Sequence, residues 1–362
     1  MITKNDLQFY NENGYLIIRN FLSEEKIKQL DLNYEQLRKK LAKQASIKYS
    51  DYQKEICQIR DLWRYDEGFQ NLILRDEISK IVPTFFEEGG CRLLHDHFIN
   101  KPIGNNGIVP WHKDYTSWPI DNSNGLSLWL PFNNLDENSG VLEVIPKSHL
   151  LEEDKPVDFI NDTIEFADNE IIKLTVNMGD LVILHSMTWH KSSANISAKE
   201  RKAYISLWIP SDSKYVPKHA SWHPVNDNIT VATNKTLNDD WFPVIGNTKI
   251  KESDQQLYID NSHTEDMSKI TMFNASKVTR KFFQKHLGIK DNIWPHLYEK
   301  SNRNNAASTL VSTFNLNNNQ KIELDEVLLS MSINGLAYQN HRGRNVYNKS
   351  YVKFIEIFEN EI

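Results

Sequence analysis

The sequence predicts a mainly β protein, a sandwich or barrel with a helical periphery. Three observations carry this expectation. Between about residues 90 and 210 the chain breaks into short runs rich in Val, Ile, Leu, Trp and Tyr: CRLLHDHFI, LSLWLPF, VLEVIP, LVILHSMTW and AYISLWIP. Turn signals (NNG, NSNG, ENSG and MGD) separate them, and many short strands punctuated in this way disfavour a parallel α/β arrangement. The preceding stretch, by contrast, carries helical spacing.

That helical part covers residues 1–88. GYLIIRNF suits a short strand, after which Ser23 precedes Glu24 and Glu25, with Ile27, Leu30, Leu37 and Leu41 at roughly helical intervals. Ser23 caps such a helix, and the glutamates favour its positive end. The β core is expected over 89–212 and the whole domain over 1–225, with Pro210, Pro217 and Pro224 marking its end. Residues 152–170 interrupt the core with eight Asp or Glu against Lys155 alone. They read as a solvated loop, or as a lid that favours a cationic or amine-bearing substrate. Residues 226–362 form an α/β extension of Asn- and Lys-rich loops, with a helical stretch, SKVTRKFFQKHLGI, and a strand-like run, DEVLLSMSI.

The 362 residues can bury a proper core. A net charge of −6 leaves no broad basic surface for a phosphate backbone or an anionic membrane, so neither nucleic acid nor membrane is an expected partner. Two cysteines, Cys57 and Cys91, fit a reducing compartment. With no apolar signal core or long apolar run, the expected location is the cytoplasm.

One stretch, WHKDYTSWP at 111–119, raises the question of chemistry. On a strand His112 and Asp114 face one side. Alone, the pair fits either two polar groups satisfying each other or half of a metal site. The later stretch GDLVILHSMTWHKSSANISAKER supplies a second half, because His190 stands at the polar end of an apolar strand whose residues 182 to 190 alternate onto one face. Two imidazoles and one carboxylate on three corners of an octahedron leave three positions free, as iron(II) needs to chelate a bidentate co-substrate and bind O2. A dicarboxylate co-substrate such as 2-oxoglutarate also calls for a guanidinium. Arg201 stands eleven residues after His190, where a hairpin would return it to the metal face.

These pieces resemble the phytanoyl-CoA dioxygenase family of iron(II)- and 2-oxoglutarate-dependent oxygenases. FINKP (98–102), WHKD (111–114), Trp129 in LSLWLPF, ENSGVLEVIPKSHL (137–150) and GDLVILHSMTWHKSSANISAKER (179–201) occur in the family's order, over roughly residues 5–210. The resemblance implies a double-stranded β-helix, the cupin-like jelly roll, with His112, Asp114 and His190 as ligands and Arg201 as the 2-oxoglutarate anchor. By position it adds Ser192 at the same carboxylate, Trp129 against the co-substrate and Lys101 in the pocket. PKSH departs from the family's common PGSH, a change expected to be structural. WHKDYTSWP is also similar to the equivalent stretch of ectoine hydroxylases, which makes Trp118 the first substrate-contact candidate, with Tyr115 and Thr116 behind it and core packing as the alternative for Trp118.

The implied reaction is hydroxylation of an unactivated C–H bond of a small metabolite, with succinate and CO2 released. Halogenating relatives carry a small residue where Asp114 stands, so hydroxylation, or a desaturation or cyclisation begun by the same hydrogen abstraction, is favoured. Among the remaining histidines, His95 and His97 share a strand face; His97 is placed in the substrate pocket and His95 in the core. His149 is read as a loop residue, and His219, His223, His263, His286, His296 and His341 as surface or structural. Residues 226–362 are weakly similar to thiolase-fold enzymes, but Phe273 stands near that family's histidine and no cysteine follows Cys91. The segment is expected to be a helical extension packed on the barrel; the thiolase likeness implies instead a degenerate docking or dimerisation module, or one that meets a carrier protein. Competing readings of the whole are a non-catalytic jelly-roll binding module and a metal hydrolase.

Overall fold

The computed structural model describes residues 2–44, 49–50, 58–86, 90–101, 103, 109–151, 166–167, 170–220, 223–246, 285–286, 300–334 and 356–358. The N-terminal elements follow from local chemistry. Helix α1, Lys4–Asn13, opens on a capping box between Thr3 and Asp6 and closes on Gly14 at φ 78°, whose N–H donates to the Tyr10 carbonyl. Alanine at Gly14 would place its Cβ 2.4 Å from both His149 and Thr188, so the closure also needs a bare backbone. Strand β1, Tyr15–Ile18, leads into α2, Glu24–Gln44. As expected, Ser23 Oγ caps α2, accepting from Lys26 N–H at 3.2 Å.

Two antiparallel sheets form the barrel among the described residues. The larger contains β1, β2 (Gln58–Arg60), β3 (Cys91–Lys101), β5 (Leu126–Pro131), β8 (Leu181–His185), β10 (Arg201–Pro210) and β11 (Val244–Ile245), ordered β1-β8-β5-β10-β3-β11 with β2 also on β3. The facing sheet is β4 (Val109–His112), β9 (His190–Ser192), β6 (Leu142–Val144) and β7 (Ile172–Lys173). This is a barrel, as the strand pattern predicts, and the jelly roll that the family resemblance implies.

Helices cover one face of the large sheet and the barrel interior covers the other, so its central strands are apolar on both sides. On β10, Tyr204 and Trp208 join the core beneath the helices, while Ala203, Ile205 and Leu207 join the barrel core. On β3, Phe98 goes outward and stacks on Tyr34 of α2 at 3.7 Å. His97 and Lys101, one and three residues from Phe98, therefore point inward, a consequence of strand alternation that positions the site.

Three expectations are corrected. LVILHSMTWH is two strands, because β8 ends at His185 and a turn, closed by Thr188 N–H on the His185 carbonyl at 2.9 Å, carries the chain to β9 in the other sheet. His190 thus reaches the interior by changing sheets, and alternation along one strand does not place it. The packed core continues past residue 225: Leu237, Trp241 and Phe242 belong to the barrel core, and β11 pairs with β3. DEVLLSMSI lies within a helix, Asn318–Asn334, that follows a helix at Lys300–Phe314. Its consecutive apolar residues fit a strand or a buried helix segment equally, and the neighbouring helix decides. Nearly all of the acidic segment, and of SKVTRKFFQKHLGI, lies outside the described residues.

A buried carboxylate ties the helices to the sheet. Asp96 on β3 accepts from Tyr204 Oη at 2.6 Å and from Trp63 N–H at 3.0 Å. Burial, aided by the charge of Asp61, pushes its carboxyl up to about 8. Between pH 4 and 8 the folded chain then holds a proton that the unfolded chain has released, so stability falls as pH rises through that window. Asp96→Asn is expected to flatten this decline, read as melting temperature from pH 5 to 8.5; an unaltered slope would assign it to other groups.

Candidate metal and co-substrate site

Strand β4 ends at His112, and a 3-10 helix, Asp114–Ser117, begins two residues later. The pair converges at a strand-to-helix turn, and not along one strand as alternation suggested. His112 is paired directly with His190 of β9, their ring centroids 4.1 Å apart. The Nε2 atoms of His112 and His190 each lie 3.6 Å from Asp114 Oδ1, and one ligand atom from each of the three residues fits within 4.8 Å of the others. Among the described residues no other group of three or more His, Cys, Asp or Glu meets this geometry.

Two supports aim these ligands. His190 Nδ1 lies 2.9 Å from the Thr188 carbonyl. A carbonyl only accepts, so Nδ1 carries the proton and Nε2 presents its lone pair inward. Ser127 Oγ donates a short hydrogen bond to Asp114 Oδ2, which turns the other oxygen toward the imidazoles.

Next to this triad the interior becomes cationic. Arg201, at the start of β10, is paired with Lys101 at the end of β3. It does not form a hairpin with β9, because the chain crosses from the small sheet to the large one between them. The two elements still meet across the barrel: Arg201 Nη2 donates to Ser192 Oγ at 3.4 Å, and Lys101 Nζ donates to the same oxygen at 2.7 Å and to the Ser193 carbonyl at 2.8 Å. The Arg201 guanidinium lies 5.5 Å from the Trp129 ring centroid. Arg201 is 2% exposed, its Nε and Nη1 find no hydrogen-bond partner among the described residues, and burial pulls its pKa down to about 10. A desolvated guanidinium with two unmet donors is costly by itself and is matched by a carboxylate ligand. The donor set and this orphaned fork fit a divalent metal and a dicarboxylate side by side.

Comparison with known proteins gives the lineage. The family model for phytanoyl-CoA dioxygenase (PhyH) matches residues 10–203, more than half of the chain. The chain belongs to the phytanoyl-CoA dioxygenase family. The peroxisomal phytanoyl-CoA dioxygenase of Bos taurus is 28% identical over 234 residues, covering 58% of this chain and 69% of that protein. A probable alpha-ketoglutarate-dependent hypophosphite dioxygenase of Stutzerimonas stutzeri is 23% identical over 226 residues, covering 56% of this chain and 77% of its own. In fold, the chain is similar to the alpha-ketoglutarate-dependent carbocyclase SnoK from nogalamycin biosynthesis (TM-score 0.54, 21% identity, 67% of this chain and 96% of that one). As a PhyH-family protein, this chain is an iron- and 2-oxoglutarate-dependent dioxygenase. No described helix is long and apolar enough to cross a membrane.

The substrate-side candidates divide in this PhyH-family barrel. Trp118 is 1% exposed and wedged against Gly125, where an added Cβ would fall 2.5 Å from its ring. It packs the wall from behind. Tyr115 and Thr116 are buried directly after the Asp114 turn, with Thr116 Oγ1 donating to the Lys113 carbonyl at 2.7 Å. His97 faces the interior on β3, near enough to Asp114 for its charge to be felt. His149, expected in a loop, lies on a short 3-10 helix, Ser148–Leu150, its Nε2 3.0 Å from the Asn11 carbonyl.

Four residues were not found by sequence reading. Ser127 had a signal, because it alternates with Trp129 on β5 and so shares its face. Thr188 acts through its backbone, which residue identity does not announce. Arg60 and His223, both buried, come from segments distant in sequence whose approach depends on the fold.

Proposed function

We propose that this dioxygenase hydroxylates a C–H bond of a small molecule, with His112, Asp114 and His190 holding iron(II) and Arg201 anchoring 2-oxoglutarate. The observation that carries the assignment is the His-Asp-His convergence beside a buried guanidinium with unmet donors. When bound, iron(II) and 2-oxoglutarate together activate O2, one oxygen atom entering the C–H bond and the other the succinate released with CO2. The protein's own part is geometry and exclusion of water. Thr188 fixes the His190 tautomer, and Ser127 holds Asp114 so that one carboxylate oxygen faces the metal. Ser192 and Lys101 complete the anion cradle, and Trp129 supports the Arg201 plane. Ile205 and Leu207 keep the wall apolar. His97 is the proposed first substrate contact, with Tyr115, Thr116 and Trp118 behind it.

A complete ligand set argues against a non-catalytic jelly-roll module, and the buried arginine argues against a hydrolase on the same ligands. We take residues 2–246 as the catalytic unit, since β11 and Trp241 complete the barrel. The helices after residue 300 are assigned no part in the chemistry.

Anaerobic titration of iron(II) with 2-oxoglutarate is expected to produce the weak visible charge-transfer band of the chelate. Admission of O2 with a substrate then releases succinate in step with product. A folded chain that gives no band would overturn the assignment.

A further inference from the structure

Beyond the metal and the co-substrate cradle, the barrel interior carries a second nitrogen-rich wall. Arg60 on β2 is paired in register with His97 on β3, so the two side chains share the inward face. His95, two residues back on β3, shares it too, with Nδ1 3.5 Å from His97 Nδ1. The His223 ring lies 5.4 Å from that of His95, which adds a third element. All but His97 are below a tenth exposed, Arg60 at 1%. Burial, and after it the Arg60 charge, opposes protonation of all three rings. Arg60 thus stands beside three neutral imidazoles, each able to present one N–H; His223 accepts from Val225 N–H at Nδ1 and so carries its proton on Nε2. Of the two nearby carboxyls, Asp96 is turned to the helix side, held there by Tyr204 and Trp63, and Asp61 is buried between the charges of Arg60 and Arg64.

The position of this wall gives it meaning. His97 lies four residues from Lys101 on β3, roughly 13 Å along the strand, so the barrel interior has one cationic pole at Arg201 and another at Arg60. The co-substrate accounts for the first. A buried guanidinium ringed by hydrogen-bonding imidazoles is suited to an oxyanion, which a neutral or cationic group would not match. We propose that the Arg60, His95, His97 and His223 wall receives an oxyanion of the substrate, making the substrate an anionic small molecule held with its reacting carbon toward Asp114. This rests on the dioxygenase reading above for the direction of the reacting carbon; the anion site itself does not.

The test uses the full chain loaded with manganese(II) and saturating 2-oxoglutarate, so that Arg201 is already occupied. Sodium butyrate, inorganic phosphate and butyramide, the neutral counterpart of the first, are titrated by calorimetry. At least one anion is expected to bind about tenfold or more tightly than butyramide, and Arg60→Gln to weaken it by a similar factor, as for loss of a hydrogen bond to a charged group. Arg60→Lys should recover part of the loss. Preference for butyrate assigns a carboxylate, and preference for phosphate a phosphate. If Arg60→Gln does not fold, His95→Gln and His97→Leu are read in the same way. The proposal is overturned if neither anion outbinds butyramide, or if folded wall variants bind the anions as the wild type does. The iron(II)–2-oxoglutarate band, recorded on the same preparations, separates the two readings: a chain with the band but no anion preference fails only here.

Discussion

A His190→Ala variant is expected to lose substrate-dependent succinate release entirely while keeping a folded barrel. Loss of a group that merely orients a ligand costs about 10–100-fold in metal affinity or activity, and His190 is itself a ligand in this assignment. The structure also sets the cost to the fold. His190 is 6% exposed and its Nδ1–H meets the Thr188 carbonyl, so alanine leaves that acceptor without its donor, a penalty of about 1–3 kcal/mol. This lowers the melting temperature by several degrees without unfolding a domain of this size. Asp114→Ala should give the same loss of turnover by another route, since it removes the negative charge and leaves Ser127 without its acceptor. The measurements are iron(II) binding by the chelate band, succinate release and thermal melting of the same samples. Substrate-dependent consumption of 2-oxoglutarate by His190→Ala would show that the metal is held elsewhere.

Much of this site was legible before any fold was known, for a physical reason. A facial triad needs three unusual side chains near polar strand ends, and His112, Asp114, His190 and Arg201 are such residues in predominantly apolar surroundings. What the sequence misrepresented was how they meet. Strand alternation predicts a shared face for His112, Asp114 and His190 and a hairpin predicts the return of Arg201, yet Asp114 stands on a 3-10 turn, His190 follows a crossing between sheets, and Arg201 begins a strand in the opposite sheet from β9. Alternation is a local rule, whereas convergence across a barrel depends on which strands pair. The same limit hid Arg60 and His223, whose neighbours on β3 are distant in sequence. Trp118 shows the converse: a tryptophan beside a motif invites a ligand role, but the Gly125 backbone leaves just the space its ring fills. The apolar runs of β10 gave no inside or outside, because helices and barrel bury both faces.

Arg201→Gln is expected to raise the KM for 2-oxoglutarate far more than it lowers kcat. Truncating one partner of a buried charged pair costs roughly 2–5 kcal/mol, from about thirtyfold to several thousandfold in affinity. The anchor grips the end of the co-substrate remote from the metal, so saturating 2-oxoglutarate should restore most of the turnover. Arg201→Lys keeps the charge but not the two-pronged geometry, and should fall between the two. The same substitution also acts on stability. Without its anion the guanidinium is buried with Nε and Nη1 unmet, and burial draws its pKa down to about 10; the chain carries an electrostatic cost that the co-substrate relieves. Two opposite shifts follow in a thermal melt with manganese(II). The wild type should gain stability with added 2-oxoglutarate, by about 2.7 kcal/mol at a hundred times Kd. Arg201→Gln should match or exceed the wild type in its absence and gain little in its presence. A glutamine variant that melted lower than the wild type without 2-oxoglutarate, and still responded fully to it, would show the arginine to be a structural residue and move the anchor to Lys101.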